Sequence, residues 1–273
     1  MSRIEKKFAA LRAEKRAGLI AFITAGDPDA ETSFAILEKL PEAGADIIEL
    51  GVPFSDPMAD GPAIQASSMR ALKAGMNVRG VLALVRRFRA KDTQTPIVLM
   101  GYFNPIHAYG VEAFSRDAGA AGVDGLIVVD LGPEEDSILR GPAKEAGLDI
   151  VRLAAPTTDD RRLKTVLDGA SGFLYYVSIA GVTGTKTFAE DDVRDAITRI
   201  RRASEIPCAV GFGIRTSAQA AAIARFADAA VVGSALVSII AEKAAEGKKG
   251  VTLAEKVLGF CRDLAVAVRK ARA

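Results

Sequence analysis

The chain has 273 residues, 49% of them hydrophobic, with 36 Lys plus Arg against 34 Asp plus Glu and a net charge of +2. So even a balance, with basic residues scattered apart from small pairs such as Arg86-Arg87 and Arg161-Arg162, gives no footing for nucleic acid or an anionic membrane surface as a partner. No apolar run approaches the roughly 18 residues of a membrane span. The charged, helix-prone segment 1–16 does not read as a signal peptide, and Cys208 and Cys261 have neither disulfide nor metal-ligand spacing. A soluble cytoplasmic protein is expected.

Eight short, continuously apolar runs follow one another: 19–24, 46–51, 96–101, 125–130, 149–154, 172–178, 207–211 and 229–233. Runs of this kind suit parallel strands buried on both faces. Amphipathic helical patterns lie between them, among them 31–43, 78–90, 111–121, 134–146 and 191–203. Three helices end in Ala-Gly-x-Asp, at Gly44, Gly122 and Gly147, where glycine turns the chain into the next strand. Strict β-α alternation predicts a parallel α/β fold, and eight strands favour a closed barrel over an open sheet. A (β/α)8 TIM barrel needs about 250 residues, so a single domain over 1–273 is expected. Two additions are predicted: an N-terminal helix within 1–16 placed to cover the barrel floor, and an extra helix after strand 2, where patterns 63–74 and 78–90 both precede the third strand.

Such barrels carry their active sites at the C-terminal strand ends. The second strand end is the most informative. Glu49 interrupts an apolar strand, so its carboxylate must face the lumen, find a cation, or be poised for proton transfer with a raised pKa. Eleven residues later, past a loop rich in Pro and Gly, stands Asp60. Two carboxylates at one strand end make an acid/base pair; a buried ion pair for Glu49 and a helix N-cap for Asp60 are the plainer alternatives. Strands seven and eight end in Gly211-Phe212-Gly213 and Gly233-Ser234, where backbone amides and a helix N-terminus can hold phosphate. The loop Gly181-Val182-Thr183-Gly184-Thr185 offers more amides. The single histidine, His107, cannot make a multi-His zinc site and reads as a surface or capping residue. No lysine stands at a strand end to form a Schiff base. What remains is carboxylate chemistry on a small phosphorylated substrate, with no metal and no cofactor.

The stretch Glu49-Leu50-Gly51-Val52-Pro53-Phe54-Ser55-Asp56-Pro57, with Ala59-Asp60-Gly61-Pro62, resembles the signature of the tryptophan synthase α chains. The likeness continues through 100–105, 155–158, 175–178 and 181–184, and ends with 211–214 and 233–235, in order along nearly the whole chain. It implies retro-aldol cleavage of indole-3-glycerol phosphate to indole and glyceraldehyde 3-phosphate. By resemblance, Glu49 protonates indole C3 and helps deprotonate the C3′ hydroxyl, and Asp60 accepts a hydrogen bond from the indole N–H. Phe22, Leu99, Tyr102, Leu126 and Val128 would surround the ring. Tyr175 and Thr183 would meet the rest of the substrate, and Gly184, Phe212, Gly213, Gly233 and Ser234 would cradle its phosphate. The resemblance also implies a β-chain partner in an α2β2 tetramer, docked near Asp56, Pro57 and Asn104 and receiving the indole. The chain departs from the pattern at Ile179, where some relatives have arginine, and at Gly132, where proline is common.

Segment 179–188 has the glycine- and threonine-rich composition of a mobile lid. Other readings are another phosphate-binding barrel enzyme, such as a sugar-phosphate isomerase, or a non-catalytic activator of the β chain. The first needs strand-end lysine or histidine, and the retained carboxylates argue against the second.

Overall fold

A computed structural model of the chain describes residues 1–178, 190–211 and 213–272. Its strands are β1 (Gly18–Thr24), β2 (Ile47–Gly51), β3 (Ile97–Gly101), β4 (Gly125–Val128), β5 (Asp149–Ile150), β6 (Arg152–Ala154), β7 (Leu174–Val177), β8 (Cys208–Gly211) and β9 (Ala229–Val232). They are all parallel and ordered β5-β4-β3-β2-β1-β9-β8-β7-β6. The two edges are the two halves of one passage of chain. The expected fifth strand, 149–154, breaks at Val151, with β5 on β4 and β6 on β7. The Val151 N–H still reaches the Leu126 carbonyl (2.9 Å), so this passage closes the (β/α)8 barrel.

Strand alternation divides the apolar side chains into two cores. Ile20, Ile47, Val98, Ile127, Val151, Phe173, Ala209 and Val231 fill the lumen. Their chain neighbours face the surrounding helices, as Leu19, Ile48, Leu99 and Leu126 do. Helix α1 (Arg3–Ala13) closes the floor with Ile4, Phe8 and Leu11, and Phe8 meets the lumen residue Phe173 at 5.8 Å between ring centroids. This is the expected N-terminal cover. A capping box between Ser2 and Glu5 starts the helix.

In two of the three Ala-Gly-x-Asp turns the acid has a structural task that its sequence position alone does not reveal. Asp46 accepts the N–H of Leu19 at the start of β1, and Asp124 accepts that of Ile97 at the start of β3. Asp228 does the same for Cys208 on β8. Each carboxylate therefore satisfies an orphan strand-end donor and fixes the register between neighbouring strands. Arginines neutralise all three: Arg16 on Asp46, Arg3 and Arg89 on Asp124, Arg201 on Asp228.

Helix α2 (Ala30–Lys39) leads from β1 to β2, and both expected helices follow β2: α3 (Pro62–Lys73) and α4 (Val78–Arg89). A short helix the apolar pattern does not announce, Phe103–Tyr109, follows β3 and carries His107 at its exposed surface. The last helix, Gly250–Lys270, packs against the helices Ala30–Lys39, Ser217–Ala224 and Ser234–Ala245. Among the described residues no helix is long and apolar enough to cross a membrane.

Candidate active site

The two carboxylates meet at the C-terminal mouth of the barrel. Glu49 lies on β2 between Ile47 and Gly51 and points inward; in register its neighbours are Phe22 on β1 and Val98 on β3. It is 1% exposed, and its Oε2 has no hydrogen-bond partner among the described residues. Among the described residues no cation pairs with Glu49, so the buried ion pair considered from sequence is not found among them. Burial, aided by the nearby charge of Asp60, pushes the Glu49 carboxyl up to about 8. At neutral pH it therefore holds a proton.

Asp60 sits in the loop between β2 and α3. It is not a helix N-cap, because that position belongs to Gly61. Partial burial raises its carboxyl too, while the Tyr102 hydroxyl beside it pulls the other way by favouring the charged form. That hydroxyl also accepts the Ala59 N–H at 2.9 Å. The Asp60 carbonyl accepts from Gln65 Nε2 at 2.9 Å, so the first turn of α3 holds the backbone of the loop.

A cleft of about 710 Å³, mouth included, contains Glu49, Asp60, Phe22, Tyr175, Gly213, Gly233 and Ser234 together. Ile64, Met100, Val177 and Val231 complete its apolar wall. Its concave shape, with an apolar wall and a few converging polar groups, suits a small-molecule substrate. Tyr175 lies across the lumen from the carboxylates, and burial, then the charges of Glu49 and Asp60, hold its phenol neutral. Gly211 makes room for it: a Cβ there would stand 2.7 Å from Tyr175 Cζ.

Opposite the carboxylates, the cleft is polar through its backbone. Gly213 has φ +59°, a conformation few L side chains adopt, and among the described residues nothing occupies the space where its side chain would project. Gly233 is the N-cap of the helix Ser234–Ala245, and no side chain caps that first turn. Free N–H groups and the positive end of the helix dipole thus face the cleft, as an anion site requires. Thr183, Gly184 and Phe212, and the segment 179–188 with Ile179, lie outside the described residues.

Three of the residues expected around an indole ring face elsewhere. Leu99, Leu126 and Val128 pack outward against the helices. The lumen positions are the next residues along, Met100, Ile127 and Val129. The reason is the two-residue period of a strand: a shift of one residue sends a side chain to the opposite face. Val128 does border an apolar side extension of the cleft, beside Val129 and Leu153. Tyr102 adjoins the same wall, with its hydroxyl turned to the Asp60 loop.

Asp56 and Asn104 are exposed and Pro57 is half-buried at the barrel mouth. The two segments that carry them are joined by Phe54 and Tyr102, whose rings lie 5.3 Å apart. Met58, between Pro57 and Asp60, is 78% exposed.

Comparisons with known proteins agree with this arrangement. Residues 8–269 match the family model described as tryptophan synthase alpha chain. A tryptophan synthase alpha chain from Gluconacetobacter diazotrophicus is 58% identical over 273 residues, the whole of both chains. The solved alpha subunit from Legionella pneumophila str. Paris superposes with a TM-score of 0.91 at 39% identity, over 98% of each chain. A tryptophan synthase structure from M. tuberculosis superposes at 0.86 with 38% identity, over 98% of this chain and 99% of that one. With a barrel, a mouth and a full-length sequence match of this kind, the chain belongs to the tryptophan synthase α-chain family.

Proposed function

We propose that the chain, acting as one barrel domain, cleaves indole-3-glycerol phosphate into indole and glyceraldehyde 3-phosphate, with Glu49 as the proton-transfer group. The observation that carries this reading is Glu49 itself. It is a buried carboxyl with a free oxygen, protonated at neutral pH, in a cleft that also holds a second acid and an amide-lined end.

Indole is a poor leaving group until C3 is protonated. Glu49 gives its proton to C3, and the ring nitrogen takes up the positive charge. Asp60 accepts the N–H of that cation, and such charge stabilisation is typically worth a few kcal/mol. The C3–C3′ bond then breaks and its electron pair restores the aromatic ring. The C3′ hydroxyl becomes the aldehyde and returns its proton to the Glu49 carboxylate, so the acid is regenerated. The phosphate lies against the amides of Gly213, Gly233 and Ser234, about a barrel's width from the carboxylates, and fixes the substrate so that C3 meets Glu49.

The lyase product is consumed by a β chain, which pairs with the barrel mouth at Asp56, Pro57 and Asn104 in an α2β2 assembly. The reaction belongs to cytoplasmic tryptophan biosynthesis. Steady-state cleavage of indole-3-glycerol phosphate by the isolated chain, followed by indole release, tests the assignment. A wild-type protein that binds glyceraldehyde 3-phosphate but never forms indole would reduce it to a non-catalytic activator.

A further inference from the structure

Helix α3 does more than follow the catalytic loop. Its first turn forms part of the cleft through Ile64 and holds the Asp60 backbone through Gln65. Ser67 and Arg70 continue along the helix at three-residue spacing from Ile64, so all three lie near one face. On that face the helix is bound to the end of β1 by two polar contacts. Ser67 Oγ and Thr24 Oγ1 are 2.6 Å apart and fully buried. One turn on, Arg70 grips Asp27 with both prongs, Nε to Oδ1 at 2.7 Å and Nη2 to Oδ2 at 2.8 Å. Asp27 is 0% exposed. A two-pronged charge pair on a buried carboxylate adds little to net stability compared with apolar packing, but it defines one orientation sharply. The turn that carries Asp27 is itself fixed, with Ala25 N–H on the Gly51 carbonyl at 2.9 Å and Gly26 N–H on Ser33 Oγ at 2.9 Å.

We propose that Arg70 is a positioning residue for Asp60. Through Asp27, and with the Ser67–Thr24 contact, it sets the roll and height of α3 on the barrel and so the place of the Asp60 carboxylate. The inference rests on the proposed cleavage reaction and deepens it. Rotation of α3 by even a few degrees would carry its first turn, and with it Asp60, away from the indole N–H. Misplacement on the order of 1 Å can cost about 10²-fold in rate.

Arg70→Lys retains the charge and loses the two-pronged grip; Ser67→Ala removes the second contact with little risk to folding. Both are measured for kcat, KM, affinity for glyceraldehyde 3-phosphate, and folding by circular dichroism at the assay temperature. Expected for Arg70→Lys is a fall in kcat of about tenfold, a part of the range above, with KM and product affinity within roughly twofold of wild type and the protein folded. Ser67→Ala should move kcat in the same direction by a smaller factor. In an Asp60→Asn background, assayed at high enzyme concentration, the added cost of Arg70→Lys should nearly vanish, because the group it positions has gone. Wild-type kcat in both variants would overturn the inference. So would an undiminished cost in the Asp60→Asn background, or a loss that follows the unfolded fraction. A wild-type chain that forms no indole would overturn the functional reading, and this inference with it.

Discussion

The hydroxyl of Tyr102 accepts a 2.9 Å hydrogen bond from the N–H of Ala59, the residue before Asp60. A side chain at the end of β3 thereby holds a loop that leaves β2, and the same hydroxyl favours the charged form of Asp60. Tyr102→Phe keeps the ring and its contact with Phe54 and deletes only the oxygen. A hydrogen bond of this kind has a net worth of about 1 kcal/mol. The expected result is a roughly fivefold lower kcat, with thermal stability nearly unchanged and the Asp60 carboxyl raised further. Unchanged turnover in the phenylalanine variant would show that the hydroxyl has no part in holding Asp60.

The phosphate end is tested at Gly213. Its positive φ and open flank let the backbone approach an anion. Gly213→Val would strain that conformation and fill the approach. Losing a charge-assisted contact of about 1.5–3 kcal/mol should weaken glyceraldehyde 3-phosphate binding by roughly 10- to 100-fold. KM should rise with kcat less affected, the pattern for a contact made equally in ground and transition states. Calorimetric titration with the product reads this directly, and normal affinity would move the cradle elsewhere.

Much of this site is legible in the sequence, for identifiable reasons. Glu49 stands out because a carboxylate in an apolar strand has few physical explanations. Gly213 and Gly233 stand out because they fall at strand ends where the barrel places its ligands. The apolar lining is less legible. A continuous run such as 96–101 does not reveal which alternate residues face the lumen, so Leu99, Leu126 and Val128 take the outward face and Met100, Ile127 and Val129 the inward one. The phase can be recovered once Glu49 is fixed inward, because register passes it from β2 to Val98 and on to Met100. The Arg70–Asp27 contact is illegible altogether: 43 residues separate its partners, and nothing local distinguishes either from a surface charge.

A third prediction concerns the partner. The 53–60 loop carries Asp56, Pro57 and Asp60 together, with Met58 exposed between them. In the proposed reading, a β chain seated there would order the same loop that carries Asp60. Adding it in excess should raise kcat with a coupling free energy of about 1–3 kcal/mol, roughly 5- to 150-fold. Pro57→Gly should lower the isolated rate and shrink the response. Steady-state cleavage with and without β chain makes the comparison, and an unchanged wild-type rate would end the coupling proposal while leaving Glu49 and Asp60 in place.

The burial of Glu49 also sets a pH dependence of stability. Its folded pKa is raised from 4.5 to about 8. Below about pH 4.5 the carboxyl is protonated in both folded and unfolded chains and has no differential effect. As pH rises from there to about 8 the unfolded chain ionises first, so the native state loses relative stability, by an amount on the order of 5 kcal/mol over the whole window. Glu49→Gln cannot ionise. Its stability advantage over wild type should therefore grow between pH 5 and pH 8 and level off above, as read by urea unfolding at each pH. A constant difference across that range would mean that Glu49 is ionised in the folded protein.

The most direct test of Glu49 as the proton-transfer group is the turnover of Glu49→Gln on indole-3-glycerol phosphate. Glutamine keeps the size of the side chain, so the fold and affinity for glyceraldehyde 3-phosphate should be preserved. The expected rate is at least about 10²-fold below wild type, the lower end for general acid–base catalysis. Near-normal indole formation by that variant would contradict it.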